Sequence, residues 1–510
     1  TTGHDNVLIG GKAGDALTTG SDNVAIGKNA LNTETEYGRN VAVGKSALNT
    51  QNAGANAYNV AIGYEAGLSV TTGVQNTIIG GLAGDALTTG QRSVAVGYLA
   101  LSTETGSDRS VAIGAEALKN QNVGSSNAYN VAVGDSAGEE ITSGTLNTIV
   151  GGLAGDALTT GGNHTAFGYQ ALSAEDEGIG STAFGYQALA SQNADGNIYN
   201  TAVGLSAGSS ITTGGQNTIL GAEAGDALTT GSNNVAIGYK ALSAEDAHGN
   251  NIAIGREALE VQDAGADAYN IAIGYRAGHS VSTGIYNTLL GGLAGDALTT
   301  GGSNVAIGLN ALGTEDTGSD SIAIGRSALL NQNYDGSAYN IAIGRDAGKE
   351  VTTGVNNTII GGLAGDALTT GTNNVAMGYG ALGSEDTGGQ NVAIGVNALN
   401  TLNYDGNGLN VAVGYGSGAA VTTGTQNTLV GGLAGDALTE GKNNVAIGYS
   451  ALTAETHGER NVAIGIFALG NQVNNSDVDT YNVAVGYNAG YAVTTGTNNT
   501  IIGGLAGDAL

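Results

Sequence analysis

The chain has no cysteine, no proline and no tryptophan, one methionine and only 3 phenylalanines in 510 residues. Without cysteine there is no disulfide framework, no cysteine-based zinc site and no thiol nucleophile. Cations are scarce: 15 Lys and Arg stand against 44 Asp and Glu, a formal net charge of −29. Phosphate contacts need Lys and Arg, so nucleic acid is excluded as a partner. No run approaches the roughly 18 apolar residues of a membrane helix, so no membrane-spanning segment is expected. No signal peptide opens the chain, and residue 1 is Thr rather than Met, which reads as a processed chain or an excerpt. Glycine is what is plentiful, with 90 residues, more than double the usual share of roughly 7%. Glycine without proline and without a three-residue period excludes collagen.

The string Asn-Val-Ala-Ile-Gly and its variants recur along the whole chain, starting at Asn6, Asn23, Asn40, Asn59 and Asn76 and continuing to Asn499. Numbering each copy from that first residue as position 0, there are about 29 copies about 17 residues apart, with one longer spacing in every four. The glycine at +4 is present throughout, as at Gly27, Gly44, Gly63 and Gly80. Four copies make a higher repeat of about 70 residues, whose clearest piece is Gly-Gly-Leu-Ala-Gly-Asp-Ala-Leu at 80–87. No linker, charge block or composition shift interrupts it. The reading is one continuous repeat domain over residues 1–510.

A unit of this length is too short for a helical hairpin and suits one coil of a β-solenoid. The expected fold is therefore all-β, a parallel β-roll of about 29 coils grouped in fours. At roughly 4.8 Å per coil that makes a rod of roughly 140 Å. Gly at +4 marks a corner where only glycine takes a positive φ without strain. Stacked Asn at position 0 (Asn23, Asn40, Asn59, Asn76) is expected to form a side-chain ladder. Ala-Leu at +7 and +8 gives an inward contact, replaced in the third and fourth coils by an apolar residue at +11, Val70 or Leu87. Side chains alternate along a strand, so Val at +1 and Ile at +3 share one face, taken as the inner one. Position +2 then faces outward, yet it is Ala25, Ala42, Ala61 and, in the fourth coil, Ile78. Two apolar faces imply two buried faces, so this column is expected to meet another chain.

Asn-Val-Ala-Ile-Gly-Tyr-x-Ala-Leu, as at 234–242, resembles the head repeats of trimeric autotransporter adhesins and the repetitive shafts of phage and giant-virus tail-fibre-like proteins. The resemblance covers every coil. It implies a left-handed parallel roll assembled as a homotrimer on a cell or virion surface, an extracellular adhesive or structural fibre with a host-cell receptor or glycan as partner. The coil here is longer than in the adhesin heads, and no segment matches their neck, stalk or anchor. The chain begins Thr-Thr-Gly and stops at Gly-Asp-Ala-Leu, which are consecutive inside the repeat. No capping segment is visible. That reads either as an excerpt of a longer repeat region or as a head-to-tail filament, since a non-closing contact gives an open fibre.

Other columns carry candidate chemistry. Glu recurs at +11 of the first coil: Glu34, Glu104, Glu175, Glu245, Glu315, Glu385 and Glu455. Hard cations want several oxygens, but these residues return only every fourth coil, roughly 19 Å apart. No cofactor is expected, with calcium the candidate weighed; the column reads instead as a solvated acidic stripe that keeps a rod soluble. Thr-Thr-Gly (Thr71-Thr72, Thr88-Thr89) raises ice binding, but the array is interrupted, and turn-stabilising hydroxyls fit better. Tyr58, Tyr129, Tyr199, Tyr269, Tyr339 and Tyr481 precede the third coil, and Tyr at +5 (Tyr64, Tyr98, Tyr239, Tyr275) is frequent. Such residues could bind glycans or pack the lengthened coil. The five His occupy different phases of the repeat, and Gly44-Lys45-Ser46 has the wrong spacing for a phosphate loop. No enzymatic activity is expected. A binding module for glycan, calcium or ice is the alternative to a fibre, and it would show one flat, exposed column repeated in every coil.

Overall fold

A computed structural model describes residues 2–509. The chain divides into two compact units, Thr1–Asn251 and Ile252–Leu510. Each is a parallel β-solenoid built of the same coil. The first carries fourteen three-residue strands, from Val7–Ile9 to Val235–Ile237, and the second fifteen, from Ile252–Ile254 to Thr500–Ile502. Among the described residues no helix is long and apolar enough to cross a membrane.

Within each unit every strand pairs in register with the same strand of the next coil. Val24, Ala25 and Ile26 lie beside Val41, Ala42 and Val43, and Ile322, Ala323 and Ile324 beside Ile341, Ala342 and Ile343. Position +1 is Val, Ile or Thr in every coil, and β-branched side chains suit a pleated strand. In every three-residue strand after the first, the middle residue is buried. Ala25, Ala42 and Ala61 are 0% exposed within a single chain. The expected orientation is therefore reversed: Ala25, Ala42, Ala61 and Ile78 fill the inside of the coil and are not the oligomer face. The physical reason is width. In the first two coils the interior already holds Ala at +7, Leu at +8 and the residue at +11, so only a small side chain fits at +2.

The four coils of a higher repeat share this interior by exchanging volume. The +2, +8 and +11 positions read Ala25-Leu31-Glu34, Ala42-Leu48-Gln51, Ala61-Gly67-Val70 and Ile78-Gly84-Leu87. All twelve are buried. Where +8 loses its leucine, the apolar bulk moves to +11 and then to +2 of the fourth coil. A Cβ on Gly67 would lie 3.0 Å from Ile78 Cδ1 and 3.1 Å from Leu48 Cδ2. Close packing of this kind leaves no room for another methyl group.

The corners are left-handed far more often than glycine alone accounts for. Besides Gly at +4 (φ 135° at Gly27, 136° at Gly44), positions −1, +6 and +8 all take positive φ, as at Arg39 (66°), Ser46 (57°) and Leu48 (47°). Outside glycine this conformation costs about 1 kcal/mol per residue. It is repaid by hydrogen bonds along the stack. The N–H of Ser46 donates back to Lys28 O at 2.8 Å, whereas that of Leu48 donates forward to Ala66 O at 3.1 Å. Left-handed residues thus turn successive peptides toward opposite neighbours.

The second coil of each repeat is longer, and its extra residues bulge outward around Gly54, Gly124 and Gly196. In the longest of these, Asn461 to Asn482, Val478–Asp479 adds a short parallel pairing with Gly458–Glu459.

Candidate interaction face

The Asn column forms a ladder of a particular kind. Asn23 Oδ1 accepts from the backbone N–H of Asn40 (3.0 Å), Asn40 from Asn59 (3.1 Å) and Asn59 from Asn76 (2.8 Å). The Nδ2 groups of Asn59 and Asn76 donate to the carbonyls of Gly73 (2.8 Å) and Gly90 (2.9 Å). Asn59 and Asn76 thus each satisfy one N–H and one C=O at the edge of the short strand, where ladder bonds run out, whereas the Nδ2 of Asn40 is buried without a partner.

His164 replaces Asn in one coil and reproduces both bonds. Its Nδ1 accepts from Ser181 N at 3.1 Å, and its Nε2 donates to Gly178 O at 2.7 Å. Burial holds its pKa below the ordinary imidazole range. His164→Asn is expected to leave stability at pH 7 within about 0.5 kcal/mol. His164→Ala leaves two buried backbone groups unpaired, about 1–3 kcal/mol each. Thermal melts of the two variants check this, and equal losses would contradict the ladder role.

The Glu column is buried, not solvated. Glu34, Glu104, Glu175, Glu245, Glu315, Glu385 and Glu455 are each 0% exposed, which corrects the expected acidic stripe. The reason lies in the column: +11 points inward in all four coils, where Gln51, Val70 and Leu87 also sit. Glu104 accepts from the N–H groups of Gly106 (3.0 Å) and Ser107 (2.9 Å) and from Gln121 Nε2 (3.1 Å). Gln121 Oε1 then accepts from Asn130 Nδ2 at 2.8 Å. The same relay joins Glu315, Gln332 and Asn340, and again Glu455, Gln472 and Asn482. In one repeat Leu402 stands in place of the Gln, and Glu385 keeps the N–H donors of Gly388 and Tyr404. These carboxylates meet N–H donors, whereas calcium needs a shell of oxygens. Burial pushes Glu34, Glu175 and Glu385 above the usual carboxylate range.

The Thr-Thr-Gly hydroxyls cap turns between coils: Thr71 Oγ1 donates to Thr88 O at 3.2 Å, and Thr88 Oγ1 to Thr105 O at 2.7 Å. His248 lies 3.3 Å from Glu245, and His279 2.9 Å from Glu260.

What the sheets turn outward is the apolar set. Position +3 is Ile, Val, Leu, Phe or Met in every coil. Phe167 is 44% exposed and Phe184 48%, and their rings stack at 4.6 Å. Beside this column run the +5 residues, with Tyr98 55% and Tyr415 63% exposed, and on the other flank Tyr58, Tyr129, Tyr199 and Tyr339 at −1. The fourth coil carries Gly or Ala at +5, and the next Tyr lies over the glycine: a Cβ on Gly81 would be 3.7 Å from Tyr98 Cδ2. Several of the scarce cations also lie on tyrosines, Lys45 over Tyr64 at 4.8 Å and Arg109 over Tyr129 at 5.4 Å.

No protein-family model matches the chain, and no curated protein matches its sequence. Fourteen coils at about 4.8 Å make a strip of about 65 Å in the first unit. Soluble monomers rarely expose an apolar patch beyond a few hundred Å². The strip is an apolar column repeated in every coil, half-buried in most coils of a single chain and exposed in the others.

Proposed function

We propose that the chain is a structural and adhesive fibre element at a cell or virion surface, and that its outer sheet face is covered by further copies of the same chain. The observation that supports this most is the unbroken apolar column at +3. A second copy is the occupant that fits, because it repeats with the same coil spacing and presents the same β-branched and tyrosine rows. The resemblance to adhesin heads and tail-fibre shafts favours three copies. The oligomer face in this reading is Ile26, Val43, Ile62 and Ile79 with their equivalents, opposite to the alanine column.

Native mass at low concentration tests it. The expected result is three times the 49.9 kDa of one chain, rising in yield with salt as the net charge is screened. Charging the face with Ile79→Lys, Ile113→Lys and Ile237→Lys together should give folded monomers. A wild-type monomer of unchanged compactness would end the proposal; filaments of indefinite length would replace it with a head-to-tail polymer. A second reading, a glycan-binding surface, is favoured by a separate polar cleft.

A further inference from the structure

The first unit holds a cleft of about 720 Å³ beside the outward bulge of its third long coil. It is lined by Asn193, Asp195, Asn197, Thr213, Gln216 and Ser232, over a floor that includes Ala194 and Ile198. Three departures from the repeat shape it. The backbone at Gly215 carries no side chain where the six other repeats have Val74, Thr145, Ile285, Val355, Thr425 and Thr497. One coil earlier, Ile198 stands where Ala57, Ala128, Ala268 and Ala338 stand elsewhere, and it is 4% exposed. A third departure frees a carboxylate. In later repeats the residue equivalent to Asp195 accepts from a threonine, Asp335 from Thr317 at 2.8 Å and Asp405 from Thr387 at 2.9 Å. Here the threonine position is Glu177, which offers no hydroxyl.

The lining has a definite chemistry. Asn193, Asn197 and Gln216 each bring an amide with donors and an acceptor, Thr213 a hydroxyl and Asp195 acceptors alone. These side chains are exposed, and no Lys or Arg lines the cleft. A phosphate, sulfate or acidic sugar would meet a carboxylate and no cation. An apolar ligand would strand the amides. A ligand with many hydroxyls and no charge satisfies both sides, donating to Asp195 and accepting from the amides while its C–H face rests on Ile198 and Ala194. The size falls within the usual range for small-ligand sites, about 300–1,000 Å³.

We propose that this cleft binds a neutral oligosaccharide of two or three sugars. This deepens the adhesive reading above and rests on it for its biological sense, but not for its test. The probes are maltotriose, cellotriose, chitotriose and mannotriose, with 3′-sialyllactose as the anionic comparison, titrated into the full chain by calorimetry. The expected result is saturable binding of at least one neutral trisaccharide and none of sialyllactose. Asp195→Ala should weaken binding about tenfold, the worth of one lost charge-assisted hydrogen bond. The pair Ile198→Ala with Gly215→Val installs the residues found together at Ala57 and Val74, so the coil keeps a combination the fold already uses. It should abolish binding with melting temperature unchanged. No binding by any neutral probe, equal binding by the paired variant, or preference for sialyllactose would each overturn the proposal. Native mass is independent of all three, so a failed cleft and a failed fibre are told apart.

Discussion

Gly97→Ala is expected to destabilise the first unit by about 2–6 kcal/mol, the sum of about 1–3 for a φ region that belongs to glycine and about 1–3 for overpacking. Gly97 has φ 142°. An added Cβ would fall well inside van der Waals contact distance of the Gly114 carbonyl oxygen in the next coil and 3.0 Å from Ala115 N. Neither group can retreat, because the flanking strands Val94–Val96 and Val111–Ile113 are held in register by backbone hydrogen bonds. Gly81→Ala is the matched control. Gly81 has no positive φ, and its Cβ would meet only Tyr98 Cδ2 at 3.7 Å, so the change should stay within about 0.5 kcal/mol. Hydrogen exchange at the two strands, read with urea unfolding, separates them. Equal protection in both variants would show that the +4 corner tolerates a side chain.

Stability is expected to rise on mild acidification, opposite to the usual behaviour of an acidic protein. Burial raises the pKa of Glu34, Glu175 and Glu385. It does the same for Asp85, Asp156, Asp226, Asp296 and Asp366 in the fourth-coil column. For an acid whose folded pKa lies above its unfolded value, the folded chain binds the extra proton between the two. Stability then falls as pH rises through that window. The contribution is fully present below about pH 4, the ordinary carboxylate range, and is lost as pH climbs through the raised folded values. His164 and Glu139 run the other way, since a lowered folded pKa costs stability below about pH 6.5 for the imidazole and below the ordinary carboxylate range for Glu139, which Lys119 holds down, but they are two groups against eight. The net charge of −29 acts in the same sense as the carboxylates. Melting temperatures between pH 4 and 8 should therefore decline toward the alkaline end. A melting curve that peaks near pH 7 would show that the buried carboxylates are ionised at no cost.

The coil, its length and its four-fold grouping could be read directly from the recurrence of Asn at 0 and Gly at +4. Direction could not. Val24 and Ile26 differ from Ala25 in size more than in polarity, so alternation alone offers two equally apolar faces, and interior width chooses between them. The signal that would have placed Glu34 was present in its own column: Gln51, Val70 and Leu87 share its position, and two of them are plainly core residues. Left-handed corners at Arg39, Ser46 and Leu48 carry no sequence mark, because hydrogen bonds between coils impose them on whatever residue stands there. The cleft at Asn193 was hidden for the opposite reason. It arises where the repeat departs from itself at Glu177, Ile198 and Gly215, and attention to periodicity averages such departures away.

The outward bulge of the second coil makes the chain a natural display scaffold. The spacing between successive position-0 residues across it is already 19 residues at Asn40–Asn59, 20 at Ser110–Asn130 and 21 at Asn461–Asn482, and the strands on either side stay paired in register throughout. Foreign peptides grafted at Gly54, Gly124 and Gly196 would stand in a row with a pitch of about 19 Å, four coils of about 4.8 Å. Insertions there lengthen a surface loop, whose closure cost grows only slowly with length, and leave the stacked interior unaltered.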